Sequence, residues 1–266
     1  MAYASINDQE IFFKDSGGDG YPVVMMHGFL MDQSLFDPQI RVLAPKYRCI
    51  RFDARGFGQS RWDGKPFDLY DTVSDCIGLM DALSVEQAII VGMSQGGYAA
   101  LRLALRHPDR VKSLVLMSTW SGIDDEPTKI QYRQMRDIWK NLGPIDPLLE
   151  GLATVLLGPK EAPGMLEHWA KWLPKWKSYS GEAIFHATNN LLDRDDITPQ
   201  VSQIGHPALV THGDADVGMP MILGEQLSQR LKGCKDFVRV PGAAHAANFT
   251  HPAVINEALL KFLNNG

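Results

Sequence analysis

The sequence predicts one doubly wound α/β domain, a mostly parallel sheet with helices on both faces. Three observations carry that reading. Short continuous apolar runs recur along the chain, as in strands buried on both faces. Helical patterns fill the intervals between most of them. One stretch, 121–200, shows helical pieces and no strand pattern, so it reads as a helical insertion rather than a structureless loop. With 266 residues, 45% of them hydrophobic, the chain can bury one sizeable core.

The elements follow in order. Residues 11–13 form an early strand, and "DSGGDG" at 15–20 is the turn after it. Residues 23–26 form a buried strand ending at His27-Gly28, and 49–52 another ending at Asp53. Strands over 88–93, 111–117, 208–212 and 237–240 complete the set, with helices over 71–83, 97–106 and 253–263. Within the insertion, helical patterns cover 129–141, 148–157 and 165–176. Trp169, Trp172 and Trp176 recur at spacings of three and four and so share one helix face, which Pro174 is placed to kink or end. That face either fastens the insertion to the main domain or lines a pocket.

Composition narrows the function classes. The formal net charge is −5 and no run of Lys and Arg marks a nucleic-acid surface. Cys49, Cys76 and Cys234 are few, odd in number and far apart, which suits reduced structural thiols. Polar residues at 7–10 interrupt the N-terminus where a signal peptide would be apolar. No segment approaches the roughly 20 apolar residues that span a bilayer. A soluble cytoplasmic protein with a small-molecule partner is expected, with neither nucleic acid nor membrane. The oligomeric state, a homo-oligomer included, is left open.

The chemistry concentrates at "VGMSQGGYAA", residues 91–100. Gly92-Met93-Ser94-Gln95-Gly96 fits G-x-S-x-G, with an apolar strand before it and a helix after it. A strand-to-helix turn this tight needs flanking residues almost free of side chain. It would present the Ser94 hydroxyl above the sheet, beside a helix N-terminus that favours a developing anion. A serine hydroxyl needs a base. In this order of elements the base comes last, which leaves His245 and His251. His245 lies in the small-residue loop "VPGAAHAANF" directly after the last strand. His251 precedes Pro252 where the final helix starts, and capping accounts for it. The acid that orients the imidazole is Asp214 or Asp216, both after the 208–212 strand. Asp214 can shape the turn, and Asp216 lies further into the loop, nearer to reaching His245. Asp124, after the 111–117 strand, is a third candidate. Two N–H groups must meet the oxyanion. Gln95 follows the nucleophile, and Phe29 lies in "HGFLMDQ", where Gly28 permits close approach. His27 is then a structural residue of that turn.

These residues resemble the α/β-hydrolase superfamily across essentially the whole chain. The resemblance rests on "HGF" at 27–29, "FDARGFGQS" at 52–60, "GMSQGG" at 92–97, "HGDADVGMP" at 212–220 and "PGAAHAANFTHP" at 241–252. Within it, the chain is similar to the group of carboxylesterases, 3-oxoadipate enol-lactonases and cofactor-free haloperoxidases. The family loop runs Gly, two residues, Asp, three residues, Pro. Here that is Gly213, Asp216 and Pro220, so the resemblance assigns the acid to Asp216 and the turn to Asp214. It also implies a helical lid inserted after the sixth sheet strand, making 1–266 one domain with a cap at about 121–200. "DARGFGQS" becomes a structural loop braced by Arg55. Gln95 departs from the Met or Leu usual in the group and is expected to bring a polar side chain near the acyl pocket.

The expected activity is that of a serine hydrolase cleaving a carboxylic ester or lactone through an acyl-enzyme, with Ser94, His245 and Asp216 as triad and no metal or cofactor. Alternatives are perhydrolysis at the same site, as in cofactor-free haloperoxidases, and a slow-turnover ligand sensor. Trp120, Met135, Trp139, Trp169 and Trp172, with Phe29, are the pocket candidates. Lys129, Arg133 and Arg136 are either receivers of a substrate carboxylate or a solvated helix face.

Overall fold

The computed structural model describes residues 2–264. Among them eight strands form one sheet: β1 (Ala2–Ile6), β2 (Gln9–Asp15), β3 (Tyr21–Met26), β4 (Tyr47–Phe52), β5 (Ala88–Met93), β6 (Val111–Met117), β7 (Ala208–Gly213) and β8 (Cys234–Val240). Their order in space is β1-β2-β4-β3-β5-β6-β7-β8. The β1–β2 and β2–β4 pairs are antiparallel, and every pair from β4 to β8 is parallel.

The unbroken apolar runs have a geometric cause. Successive side chains of a strand point to opposite faces, so a strand covered on both sides needs apolar residues at every position. Val23, Met25, Val91, Val115 and Met117 pack on one face with α1 (Asp37–Leu43) and α10 (Pro252–Asn264). Val24, Met26, Ile90, Leu114 and Leu116 pack on the other with α2 (Leu69–Ala82), α3 (Gln95–Arg106) and α8 (Met221–Arg230). No helix among the described residues is long and apolar enough to cross a membrane.

The insertion between β6 and β7 holds α4 (Glu126–Leu142), α5 (Asp146–Leu157), α6 (Met165–Lys177) and α7 (Gly181–Leu192). The first three coincide with the helical patterns at 129–141, 148–157 and 165–176. The fourth lies outside those patterns, although Ser180 caps it by accepting from the Ala183 N–H. Pro174 does not end α6, which continues to Lys177.

The tryptophan face of α6 fastens this lid to the main domain. Trp172 and Trp176 stack at 6.4 Å, and Trp172 meets Phe249 edge-on at 5.7 Å. Trp176 Nε1 donates to the Leu30 carbonyl at 2.7 Å, and Lys171 pairs with Asp37 at 3.0 Å. Trp176 is fully buried, so Trp176→Ala is expected to lower stability by about 3–5 kcal/mol. Urea titration followed by circular dichroism checks this; a loss under about 1 kcal/mol would show that the lid docks by other contacts.

Candidate active site

The chain leaves β3 toward β4 and later returns to the other side of β3 as β5. Such reversals open a crevice at the carboxyl ends of the strands, where α/β proteins bind ligands. Ser94 lies there, between β5 and α3, at φ 52° and ψ −116°. An L-residue avoids this region unless its surroundings dictate it. They do so here. The Ser94 N–H donates to Met117 O at 2.9 Å. Its carbonyl accepts from Gly97 N at 2.8 Å, Tyr98 N at 3.0 Å and the Thr119 hydroxyl at 2.9 Å. Two glycines permit the close approaches. A Cβ on Gly96 would strike the Met26 carbonyl, and one on Gly28 would lie 2.6 Å from Met93 Sδ and 3.1 Å from Ser94 Cβ.

The structure brings His245 and Asp216 together. His245 Nδ1 lies 2.7 Å from Asp216 Oδ2, and both side chains are buried. A carboxylate only accepts, so the imidazole proton is on Nδ1 and Nε2 is left as the basic nitrogen. Asp216 Oδ1 accepts from the Gly218 and Met219 N–H groups at 3.0 and 2.8 Å, which fixes the carboxylate plane. Asp214 shapes the turn instead. It accepts from Gly242 N at 2.7 Å and pairs with Arg239, tying the β7 and β8 ends together. His251 bonds the Thr250 hydroxyl at the start of α10. Ser94 and His245 border one cavity, although no hydrogen bond links them among the described residues. Such bonds are often long without substrate and tighten when it binds.

Sequence reasoning missed His212. Its Nε2 lies 2.8 Å from Met219 O and 3.3 Å from Asp216 Oδ2, so that nitrogen carries the proton and donates to both. Burial would raise the Asp216 carboxyl. The charge of His245 and the bonds from His212 and His245 overcome it and hold the group well below the usual carboxylate range. A depressed folded-state value contributes stability that is complete above the unfolded value, about 4. That stability is lost as pH falls through the folded value. Asp216 therefore stays ionised below about pH 4, where an ordinary aspartate would not. A plot of log kcat/KM against pH is expected to show no added steepening near about pH 4, where an ordinary aspartate takes up its proton. A break to a steeper slope at about pH 4 would show Asp216 titrating as an ordinary carboxylate.

Phe29 and Gln95 place their N–H groups on the two loops that meet at Ser94, and neither N–H has a partner among the described residues. Their position suits an oxyanion. His27 is structural. The Ala54 N–H donates to its Nε2 at 2.9 Å, so Nδ1 carries the proton, 2.8 Å from Gly28 O. Arg55 braces its loop through Asp75 at 2.6 Å.

The Gln95 side chain differs from expectation. It lies among Met26, His27, Phe52 and Thr72, outside the Ser94 cavity. As the first residue of α3 it projects over β3 and β4 rather than over the site.

The pocket candidates also require correction. The cavity at Ser94 and His245 has a volume of about 40 Å³, and Tyr98, Tyr132, Asp124, Leu156 and Arg194 contribute its walls. Phe29 borders it; Trp120, Met135, Trp139, Trp169 and Trp172 do not. These side chains cement the lid instead. Trp139 Nε1 donates to Tyr179 O and Trp169 Nε1 to Gly158 O, Trp172 and Met135 are buried in the same core, and Trp120 packs on Gly122. Large apolar side chains on a helix are drawn to the face that buries most area, and here that face meets the neighbouring lid helices and the domain rather than the cavity. Lys129, Arg133 and Arg136 do not line the cavity either. Arg133 pairs with Glu126 on the exposed side of α4, and Arg136 pairs with Asp137 and donates to Asn189 Oδ1 on α7. The cation at the cavity is Arg194, just after α7, paired with Asp124 at 2.7 Å. Asp124 is thus committed to an arginine and not to a histidine.

Comparison with known proteins identifies the fold family. The alpha/beta hydrolase fold family matches residues 21–143. The protein named "Putative carbamate hydrolase RutD" of Caulobacter segnis is 30% identical over 261 residues, covering 92% of each chain. A Synechocystis protein named as a non-heme chloroperoxidase, likewise with the prefix "putative", is 28% identical over 99% of this chain and 100% of its own. Among solved structures, a thermophilic esterase from Thermogutta terrifontis, with malate bound, superposes with a TM-score of 0.89 at 26% identity, over 97% of this chain and 94% of that one. The enol-lactonase from Burkholderia xenovorans LB400 superposes with a TM-score of 0.91 at 24% identity, over 98% and 99%, and shows the fold alone. The chain belongs to the α/β-hydrolase fold family, and it is a hydrolase.

Proposed function

We propose that the chain is a serine hydrolase of carboxylic esters or lactones. The observation that carries this reading is the 2.7 Å bond from His245 Nδ1 to Asp216, at a cavity shared with a serine in the strained elbow conformation. Ser94 Oγ attacks the carbonyl carbon while His245 Nε2 takes its proton. The oxyanion forms between the Phe29 and Gln95 N–H groups. The carbonyl–oxygen bond to the alcohol breaks, and His245 returns its proton to that oxygen; in a lactone the alcohol stays on the acyl chain. Water, giving a proton to His245, then attacks the acyl-enzyme, and Ser94 recovers the proton as the acid leaves.

The cavity is narrow, about 40 Å³, so it takes a short acyl group unless α4 and α5 move apart. The reading is tested with a panel of short aryl esters, lactones and carbamates, the last prompted by the name of the Caulobacter relative. A fluorophosphonate probe followed by peptide mass spectrometry is expected to label Ser94; labelling elsewhere, with activity abolished, would sink the assignment.

The Synechocystis relative's name favours one second reading at the same site. Hydrogen peroxide, replacing water, would attack the acyl-enzyme and release a peracid, which oxidises halide. Peroxide, acetate and a halogenation dye, with and without bromide, distinguish it from plain hydrolysis.

A further inference from the structure

The wall of the Ser94 cavity opposite the triad carries a second polar cluster that the reaction does not use. Arg194 is 7% exposed. Its Nε donates to Gly122 O at 3.0 Å, and its Nη1 to Asp124 Oδ2 at 2.7 Å and Leu191 O at 2.6 Å. The guanidinium lies 4.5 Å from the Tyr98 ring centroid. The third arm, Nη2, is sealed from solvent and has no acceptor among the described residues. Leaving a charged donor buried and unpaired costs more than a neutral one, so such an arm marks a place where an acceptor belongs. Tyr98 and Tyr132 line the same wall, and neither hydroxyl finds an acceptor among the described residues. Burial pushes the Tyr98 phenol up to about 12, despite the opposing charge of Arg194, so it remains a donor at neutral pH. The wall thus offers donors in excess of acceptors.

We propose that Arg194, with Tyr98 and Tyr132, receives a neutral acceptor oxygen of the substrate, so that the ester or lactone carries a second carbonyl or ether oxygen and no free carboxylate. This rests on the ester-hydrolase reading above. Charge decides against the carboxylate. Arg194 is already neutralised by Asp124, and Asp216 adds a second negative group behind His245. An additional carboxylate would enter a narrow, largely buried cavity without a free cation, and burying an unpaired charge is strongly unfavourable. A neutral oxygen satisfies Nη2 without that cost. Tyr98 lies one helical turn after Ser94 on α3, which places this donor set beside the scissile carbonyl rather than at the lid surface.

The test compares kcat/KM of the intact protein for methyl pentanoate, methyl 3-oxopentanoate, methyl 4-oxopentanoate and monomethyl succinate. One oxo ester is expected to exceed methyl pentanoate by about 10- to 100-fold, and monomethyl succinate to fall below it. In Arg194→Met the oxo preference collapses to within about threefold. The wild-type ratios decide the matter even where that variant does not fold. Hydrolysis of all four at similar rates, preference for monomethyl succinate, or an oxo preference surviving in folded Arg194→Met overturns this inference and leaves the ester reading standing. Hydrolysis of none of the four, nor of any aryl ester, overturns the ester reading and this inference with it.

Discussion

Ser94→Ala is expected to lower kcat on every substrate the wild type hydrolyses by about 10⁴–10⁶-fold, with KM changed little. The loss is that large because the alanine methyl can neither attack the carbonyl nor pass a proton to His245, so the acyl-enzyme route is removed outright. What survives is the pull of the Phe29 and Gln95 N–H groups on the carbonyl oxygen, which lowers the barrier for direct attack by water only modestly. The backbone is not expected to relax away from φ 52°, because its bonds run through the Ser94 N–H and carbonyl rather than through the hydroxyl. An unchanged melting temperature therefore accompanies the loss of rate, and the pair of measurements separates chemistry from folding. Retention of more than about one thousandth of the wild-type kcat in a folded, contaminant-free variant would place the nucleophile elsewhere.

The parts of the fold and site that could be read from the sequence are those where one residue type has one physical reason. Strands β3 to β7 announced themselves because burial on both faces excludes polar residues, as in Ala88–Met93. The elbow was legible because the close approach of α3 to β3 at Gly96 admits no side chain. The split between Asp214 and Asp216 was only slightly biased by position, and the family loop pattern assigned it; in the structure Asp214 meets Gly242 and Arg239, and Asp216 meets His245. The cavity walls were not legible. Lid helices carry apolar residues for two different purposes, and Trp169, Trp172 and Trp176 at three-and-four spacing look the same whether they face a ligand or a core. Arg194 lacked any local signal, since its partner Asp124 is 70 residues away. Tyr98 could have been found, because a residue four after the nucleophile shares its helix face. His212 could not, because its contact with Asp216 depends on how the loop folds back after β7.

Asp216→Asn is expected to reduce kcat by about 10⁴-fold at neutral pH, again with KM nearly unchanged. The surroundings decide how the new amide sits. Gly218 and Met219 direct N–H groups at Oδ1, so the asparagine carbonyl oxygen stays there and its NH₂ replaces Oδ2. That NH₂ faces His245 Nδ1, previously 2.7 Å from an acceptor. Two donors cannot meet, and the imidazole moves its proton to Nε2. The nitrogen facing Ser94 then carries a proton and cannot accept one, which removes the base while leaving every side chain close to its place. His212 tolerates the change because its Nε2 keeps the Met219 carbonyl at 2.8 Å. The variant should thus fold normally while losing most of its rate, with the stability contribution of the Asp216 carboxylate lost along with its pH dependence. Nitrogen chemical shifts of the His245 ring report the tautomer directly, separating it from a loose or misfolded loop. A variant retaining kcat within tenfold, or one whose His245 still carries its proton on Nδ1, would show that Asp216 does not govern the base.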